Sequence, residues 1–306
     1  MTPVGGQAVL EGVMMRTPRY WAVSVRRPDG RISHVSHAAT SVATRHKLLR
    51  LPFIRGIVAL GDSLAIGFRA LGLSAQWAAS DDDSDEVTEE LSTVSIVVAF
   101  VFAIGFSLVL FKASPALLTD FLGLNGPVFA LVEGAIRVGI LIGYLALLSL
   151  IPDLKRVFQY HAAEHMAINA LEAGDELTPA VVARHSRIHV RCGTAFLLWV
   201  MIVSIVVYVV VGKPDHWYML VLSRVALLLP IAGVAYEVIR LAGRYGRNPV
   251  VRAALAPGLW LQRLTTREPT DDQVEVSIAS LQAAIARDDE LRAQRSKDQA
   301  EVEVMA

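Results

Sequence analysis

Two histidines and a glutamate lie close together near the middle of the chain, in the string His161-Ala162-Ala163-Glu164-His165. On a helix, residues four positions apart share a face, so both imidazoles can reach one metal ion. The spacing suits Zn²⁺ or a similar divalent ion, with Glu164 free to act as a ligand or a base. The string also matches the inverted zincin motif, in which the histidines are ligands and the glutamate activates water.

Glu172 follows His165 by seven residues and should lie on the same helix face two turns later. It could be a third ligand, or the acceptor that orients a ligating imidazole. Gly174 is expected to end this helix. Thr178-Pro179 is expected to supply the N-cap and first position of a second one.

The second helix is predicted to carry His185 and His189, four positions apart, followed by Arg191 and Cys192. A helix-turn-helix arrangement would bring His189 and Cys192 back toward the first histidine pair. A thiolate beside imidazoles favours zinc among the common metals. Taken alone, a cysteine is more often a buried small apolar residue than a ligand.

The composition indicates the kind of fold that must position these residues. The 306 residues are 54% hydrophobic and only 19% charged, and the mean hydropathy is +0.46. Such a chain is too apolar for an evenly soluble fold. Lys+Arg and Asp+Glu number 29 each, so the net charge predicts no nucleic-acid partner. The single cysteine cannot form an internal disulfide, which fits a reducing compartment, and the N-terminal residues lack a secretory-signal pattern.

We therefore predict a mainly α, polytopic helical membrane protein with about four transmembrane helices. Residues 91–151 would hold the first pair and residues 192–236 the second. The apolar stretches that could cross a bilayer are Leu91 to Phe111, Pro127 to Ile151, Cys192 to Gly212, and Trp217 to Tyr236 with an expected kink at Pro230.

Ionisable residues interrupt two of these spans. Glu133 and Arg137 are four apart on one predicted helix, and Arg224 lies in the last span. Ionisable groups in lipid are costly and point toward partners or cavities. A transport path is one interpretation. A buried ion pair that locks helix packing is favoured, because the sequence shows neither repeated halves nor paired broken helices.

The distribution of Lys and Arg predicts the orientation. Residues 1–90 hold ten, residues 152–191 hold five and residues after 237 hold ten, whereas the other two inter-span loops hold only Lys112 and Lys213. Cytoplasmic flanks retain positive charge. Both termini and the histidine-rich loop, residues 152–191, are therefore expected on the cytoplasmic face of the cell membrane.

The N-terminal segment, residues 1–50, is predicted to contain a β-hairpin. Its strands would be Tyr20 to Val25 and Arg31 to Val35, joined by Pro28-Asp29-Gly30. The stretch from Gly5 to Gly12 could cradle an anion, but it lacks the context of a P-loop or dinucleotide site. It is interpreted as a structured turn with one functional carboxylate.

Residues 51–90 are predicted to form an amphipathic helix and an acidic linker, the latter from Asp81 to Glu90. The helix, Leu51 to Ala79, would lie in the membrane interface or pack on the bundle, and a buried helical hairpin is the alternative. The C-terminal tail, residues 237–306, should be cytoplasmic and helical. Its last amphipathic helix is predicted from about Asp271 to Arg292.

Several motifs together resemble the bacterial YqhQ-like membrane proteins, in order from residue 5 to about residue 285. They are Gly5-Gly6-Gln7-Ala8-Val9-Leu10-Glu11-Gly12-Val13-Met14-Met15-Arg16, Pro52-Phe53-Ile54-Arg55-Gly56, Tyr160-His161-Ala162-Ala163-Glu164-His165, His189-Val190-Arg191-Cys192-Gly193-Thr194, Tyr236-Glu237-Val238-Ile239-Arg240 and Pro257-Gly258-Leu259-Trp260-Leu261-Gln262. The resemblance implies a metal-dependent enzyme. The motif positions that it implies are His161, Glu164, His165, Glu172, His189, Arg191 and Cys192. Val190 departs from the family's usual proline.

The leading hypothesis is a membrane-embedded metal-dependent hydrolase acting at the cytoplasmic interface on an amphiphilic substrate. The metal, expected to be zinc, would be held by His161, His165 and one or both of His189 and Cys192. Glu164 would be the general base, Glu172 would orient a ligand, and Arg191 would stabilise an anionic group.

The rival hypothesis is a non-catalytic membrane protein. In it the same cluster is a structural metal clip or a metal-free polar network, and the cytoplasmic parts dock a membrane-protein partner such as insertion machinery. Closed coordination by four protein ligands would favour this rival, because catalysis needs an open position.

Overall fold

The structure is a computed structural model that describes residues 3–39, 46–79, 93–245 and 248–305. The chain is mainly helical, with a small N-terminal sheet. The strands are β1 (Gly5–Val9), β2 (Gly12–Arg16), β3 (Tyr20–Arg26) and β4 (Ile32–Ala38). The helices are α1 (Ile54–Ala79), α2 (Thr93–Leu108), α3 (Ser114–Phe121), α4 (Gly126–Leu148), α5 (Pro152–Ala173), α6 (Pro179–Val182), α7 (Gly193–Val211), α8 (Trp217–Ala226), α9 (Leu228–Arg244), α10 (Pro249–Thr265) and α11 (Asp271–Met305). The acidic stretch from Asp81 to Glu90 lies outside the described residues.

The sheet is a four-stranded antiparallel meander in the order β1-β2-β3-β4. The predicted hairpin is confirmed as β3 and β4, and Gly30 in its turn has a φ of +87°, which glycine adopts without strain. The interpretation of Gly5 to Gly12 as a turn was wrong in part. This stretch is mostly strand, because Gln7 pairs with Met14 across a tight turn at Leu10 and Glu11.

Alternate residues of the sheet pack on different helices, as the two-residue period of a strand requires. Val13 and Met15 belong to a core shared with α5 and α11. Met14, between them, belongs to a second core that α1 completes with Ile66 and Ala70. The sheet is therefore a middle layer, covered on both faces.

Four single helical stretches are long and apolar enough to cross a membrane. They are Ile54–Ala79, Val98–Phe121, Gly126–Leu148 and Gly193–Val211, and α8 with the first part of α9 would make a fifth, bent by 41°. The predicted span that began at Leu91 continues through a π-helical turn, Val109–Ala113, to Phe121. In the last predicted span the break lies at Leu227 rather than at Pro230. Pro230 is in the first turn of α9, where its missing N–H costs no helical hydrogen bond.

Helix α1 is one continuous helix, so the alternative of a helical hairpin was wrong. One side of α1 packs on the sheet through Ile66, Ala70 and Trp77. The other side leaves Leu64 and Phe68 about half exposed, at 52% and 48%. Because α1 also meets the length and composition of a membrane span, its placement in the interface stays a prediction.

The apolar helices have two distinct ends. At one end Lys213, just after α7, forms an ion pair of 2.5 Å with Asp120 at the end of α3. At the other end Arg55 of α1 donates two hydrogen bonds, of 2.7 and 2.5 Å, to the carboxylate of Glu237 in α9. The histidine-rich region lies at this second end, because α5 begins directly after α4 and α7 begins directly after Cys192.

A fully buried ion cluster joins the apolar helices internally. The carboxylate of Glu133 in α4 accepts hydrogen bonds from Arg137, one turn later, and from Arg224 of α8 at 2.8 and 3.1 Å. Arg137 also donates to Ser204 of α7 at 2.7 Å and to the carbonyl oxygen of Phe111 at 3.0 Å. This pairing across several helices is what the interpretation as a packing lock requires.

We predict that Glu133→Gln strongly destabilises the protein, because it leaves two buried guanidinium groups without their counter-charge. The expected loss is about 3–5 kcal/mol. It should appear as a lower thermal midpoint of the detergent-solubilised protein. The control is Glu290→Gln, whose exposed pair with Arg287 at 2.8 Å should contribute less than about 1 kcal/mol. Equal thermal midpoints for the two variants would show that the buried ion cluster at Glu133 does not stabilise helix packing.

Candidate metal centre

Helix α5 carries the first part of the site and is enclosed by other elements. It begins with Pro152 at its first position and ends, as predicted, at Gly174, which has a φ of +80°. The N-terminal sheet and α11 cover one side, where Ser277 of α11 donates a hydrogen bond of 2.9 Å to the carbonyl oxygen of Ala163. This packing leaves Glu164 and His165 almost completely buried.

Backbone carbonyl groups fix the two imidazoles of α5. The Nδ1 atom of His161 lies 2.8 Å from the carbonyl oxygen of Thr265, and that of His165 lies 2.7 Å from the carbonyl oxygen of Arg187. A carbonyl oxygen can only accept, so both Nδ1 atoms must carry the hydrogen and donate. In a neutral imidazole held this way, the Nε2 atom carries the lone pair, which is the form in which histidine binds metals.

The free imidazole nitrogens converge with a sulfur. Ligand atoms of His161, His165 and Cys192 all lie within 4.8 Å of one another. The Nε2 atom of His161 is 3.3 Å from the Sγ atom of Cys192, which is also 3.1 Å from the hydroxyl of Thr194. Cys192 is the residue just before α7, so the start of an apolar helix delivers the thiol to the histidines.

The expected second helix was wrong in extent. It begins as predicted after Thr178, but α6 is a single turn that ends at Val182, and His185 and His189 lie in the irregular segment that follows. The side-chain amide of Asn169 binds this segment, donating to the carbonyl oxygens of Ser186 and Ile188 at 2.6 and 3.2 Å. Side-chain bonds to the backbone thus replace helical ones.

The two histidines of that segment have different surroundings. His185 points to Asp175, with Nε2 3.0 Å from the carboxylate, and is not part of the cluster. His189 is buried, and its ring centroid lies 5.9 Å from that of His165. Its backbone N–H and carbonyl both pair with the amide of Gln262, at 2.9 and 2.8 Å.

The ring of His189 stands at the edge of the cluster rather than within it. Its Nε2 atom is buried without a hydrogen bond and lies 3.5 Å from a carboxylate oxygen of Glu172. Burial, aided by His165, lowers the pKa of His189 to about 4, so its imidazole is neutral near pH 7. Glu172 thus lies beside His189, the histidine at the edge of the cluster.

Glu164 lies beside the cluster under the first strand of the sheet. Its carboxylate is 3.8 Å from the Nε2 atom of His165 and accepts a hydrogen bond from the backbone of Gly6. Burial raises the pKa of this carboxyl to about 7, against the opposing effects of His161 and Gly6. Gly6 is required here, because a Cβ atom on it would lie 2.6 Å from the Cγ atom of Glu164.

Arg191 and Glu172 form an ion pair at the rim of the site, and both side chains are partly exposed. Arg191 lines a cavity of about 510 Å³ that also contains the side chains of His161, Glu164, His165 and Cys192. The far wall of this cavity is apolar and comes from helices long enough to cross a membrane, through Leu145, Leu148 and Leu197. The cavity therefore has an ionisable wall and an apolar wall, and an amphiphilic molecule could contact both.

The roles of some residues of the site could not be predicted from the residues taken one by one. Thr265 contributes only a backbone carbonyl, which no side-chain pattern can indicate. Gly6 and Gln262 stood in the family-like motifs, but their roles under Glu164 and behind His189 follow from the fold alone. Their presence in the family-like motifs was the sequence feature that could have indicated them.

We predict that Gly6→Ala displaces the Glu164 carboxylate, because the added methyl group has no free space. The expected destabilisation is about 1–3 kcal/mol, measured by thermal unfolding. Gly5→Ala is the matched control, since a Cβ atom at Gly5 meets nothing within 4 Å. Equal stability of the two variants would show that β1 does not hold Glu164 in place.

Comparisons with known proteins agree with the resemblance inferred from the motifs. A family model described as "Protein of unknown function (DUF1385)" matches residues 51–287. The chain is also 37% identical over 290 residues to "Uncharacterized protein YqhQ" from Bacillus subtilis (strain 168), covering 90% of each chain. No solved structure matches. The chain therefore belongs to the DUF1385 family, and its similarity to YqhQ is confirmed.

Proposed function

We propose that this protein is a membrane-embedded, zinc-dependent hydrolase whose active site lies at the cytoplasmic end of its apolar helices. The observation that carries the proposal is the convergence of His161, His165 and Cys192, with both Nδ1 atoms already bound to carbonyl oxygens. Without a metal, this arrangement directs two imidazole lone pairs and a thiol at one point. Two nitrogens and a sulfur are a donor set typical of zinc.

The number of donors favours catalysis over a structural role. Among the described residues, three offer ligand atoms within 4.8 Å of one another. Structural zinc sites are usually closed by four protein ligands, whereas catalytic sites keep a position open. When bound, zinc would supply a Lewis acid that polarises a substrate carbonyl or phosphoryl oxygen.

The neighbouring side chains suit hydrolysis. Glu164 is the general base, because its carboxylate lies beside His165 in the cavity and is held by the Gly6 backbone. Arg191 stabilises negative charge on the substrate at the cavity rim, and Glu172 fixes Arg191 through their ion pair. Glu172 also orients His189, whose Nε2 atom lies 3.5 Å from its carboxylate at the edge of the cluster.

The membrane assignment rests on the apolar helices and on the charge pattern. Four stretches meet the length and composition of a span. The end that carries α5 and the sheet is also the end rich in Lys and Arg, which supports a cytoplasmic location for it. A site at this boundary takes an amphiphilic substrate from the lipid, and its apolar wall from α4 and α7 fits that class.

One contact favours the non-catalytic rival. The Nε2 atom of His161 and the Sγ atom of Cys192 are 3.3 Å apart, close enough for a direct hydrogen bond without any metal. In that case the cluster would be a polar network that stabilises a surface for a membrane-protein partner.

Metal content separates a metal centre from a metal-free polar network. We expect wild-type protein purified without chelator to hold about one zinc ion per chain, and His161→Ala, His165→Ala and Cys192→Ser each to lose most of it. His185→Ala is the matched control and should retain zinc, because its imidazole pairs with Asp175 outside the cluster. Inductively coupled plasma mass spectrometry gives the measurement.

Glu164→Gln tests catalysis itself. The variant should retain zinc but lose hydrolysis of p-nitrophenyl butyrate or bis(p-nitrophenyl) phosphate by about 10²–10⁴-fold, since the amide cannot accept the proton. Zinc-free wild-type protein would rule out the metalloenzyme. Zinc-loaded protein that hydrolyses neither ester, or an unimpaired Glu164→Gln, would instead favour the structural role.

A further inference from the structure

A second cavity, of about 580 Å³, lies next to the first, between the β1–β2 hairpin and α1. Its lining includes three arginines, Arg16 from the end of β2, Arg55 from α1 and Arg191 from the rim of the metal centre. Apolar side chains such as Ala59 and Ile66 fill much of the rest. Cavities of this size with a few convergent charged groups are typical of small-molecule sites.

The lining of this cavity carries more positive than negative charge, with three arginines and one aspartate. Arg55 is paired with Glu237 and Arg191 with Glu172, so both guanidinium groups are held in place from outside the cavity. Arg16 is partly buried, yet it forms no ion pair with any residue in the described ranges. The carboxylate in the lining, that of Asp62, has interactions of its own. An anion would supply the missing partner.

In the orientation proposed above, the cavity would lie near the lipid headgroups. Arg191, two residues before α7 begins, lines it, and so does Tyr236 from the middle of α9. The outward face of α1 beside it is apolar at Leu64 and Phe68. Arginine binds phosphate with two parallel hydrogen bonds, which makes it the preferred residue for such a group.

The two cavities share a wall. Arg191 and the segment from Val4 to Gln7 line both of them, so a molecule held in one extends naturally into the other. We propose that the arginine cavity binds the phosphate group of an amphiphile and thereby directs the rest of the molecule toward Glu164. This inference rests on the proposed function for its second step, because only a metal centre makes the bound amphiphile a substrate.

The test is calorimetric titration of the full-length protein in a neutral maltoside detergent. The probes are dihexanoylphosphatidic acid, inorganic phosphate and the phosphate-free dihexanoylglycerol. We expect the phosphatidic acid to bind more tightly than inorganic phosphate, and dihexanoylglycerol more weakly than either. Arg16→Gln should weaken binding of the phosphatidic acid about tenfold or more, the effect of one lost charge-assisted hydrogen bond.

Two further variants make the result specific. Arg31→Gln, at an exposed arginine in the β3–β4 turn, is the matched control and should bind like the wild type. His161→Ala should also bind the phosphatidic acid, which shows that the anion lies on the arginines rather than on a metal. Loss of binding in His161→Ala, undiminished binding in Arg16→Gln, or equal affinity for phosphatidic acid and inorganic phosphate would each overturn the inference. Binding by wild-type protein that holds no zinc would leave this site standing and remove the proposed function.

Discussion

The geometry of the histidine and cysteine cluster depends on two hydrogen bonds from imidazole nitrogens to backbone carbonyl oxygens. His161 is held by Thr265, at the end of α10, and His165 is held by Arg187, in the segment after α6. These acceptors lie on parts of the chain far apart in sequence, so the site exists only when α5, α10 and that segment meet. The N-terminal sheet and α11 hold α5 from the opposite side. The site thus depends on α5, α10, α11, the sheet and the segment after α6 together, rather than on the His161–His165 string alone.

The same constraint, that a buried polar group needs a partner, shapes the rest of the molecule. In the apolar bundle Glu133 satisfies two arginines from different helices. Beneath the sheet, Glu164 approaches the backbone closely because Gly6 has no side chain. At the turn between β1 and β2, Glu11 pairs with Arg156 and accepts a hydrogen bond of 3.3 Å from the Tyr160 hydroxyl. The contacts at Gly6 and Glu11 join the sheet to α5 and fix the position of that helix.

Much of the fold was predictable because its signals are local. Apolar runs located α4 and α7 to within a few residues, and Gly174 and Asp271 marked a helix end and a helix start. The errors arose where tertiary contacts decide. Strands β1 and β2 form because neighbouring layers cover both their faces, and the segment with His185 and His189 is irregular because Asn169 binds its carbonyls. The convergence of His161, His165 and Cys192 was anticipated from residue types, whereas the carbonyls that aim them have no signature in the sequence.

X-ray absorption at the zinc K-edge tests most directly whether His161, His165 and Cys192 hold a zinc ion. For the wild-type protein purified in its native metal state, we expect a shell of two nitrogens at about 2.0–2.1 Å and one sulfur at about 2.3 Å. Cys192→Ser should remove the sulfur contribution while the nitrogen distances persist in any zinc that remains. A zinc environment made only of oxygens, or a protein that retains no zinc at the edge, would contradict the account.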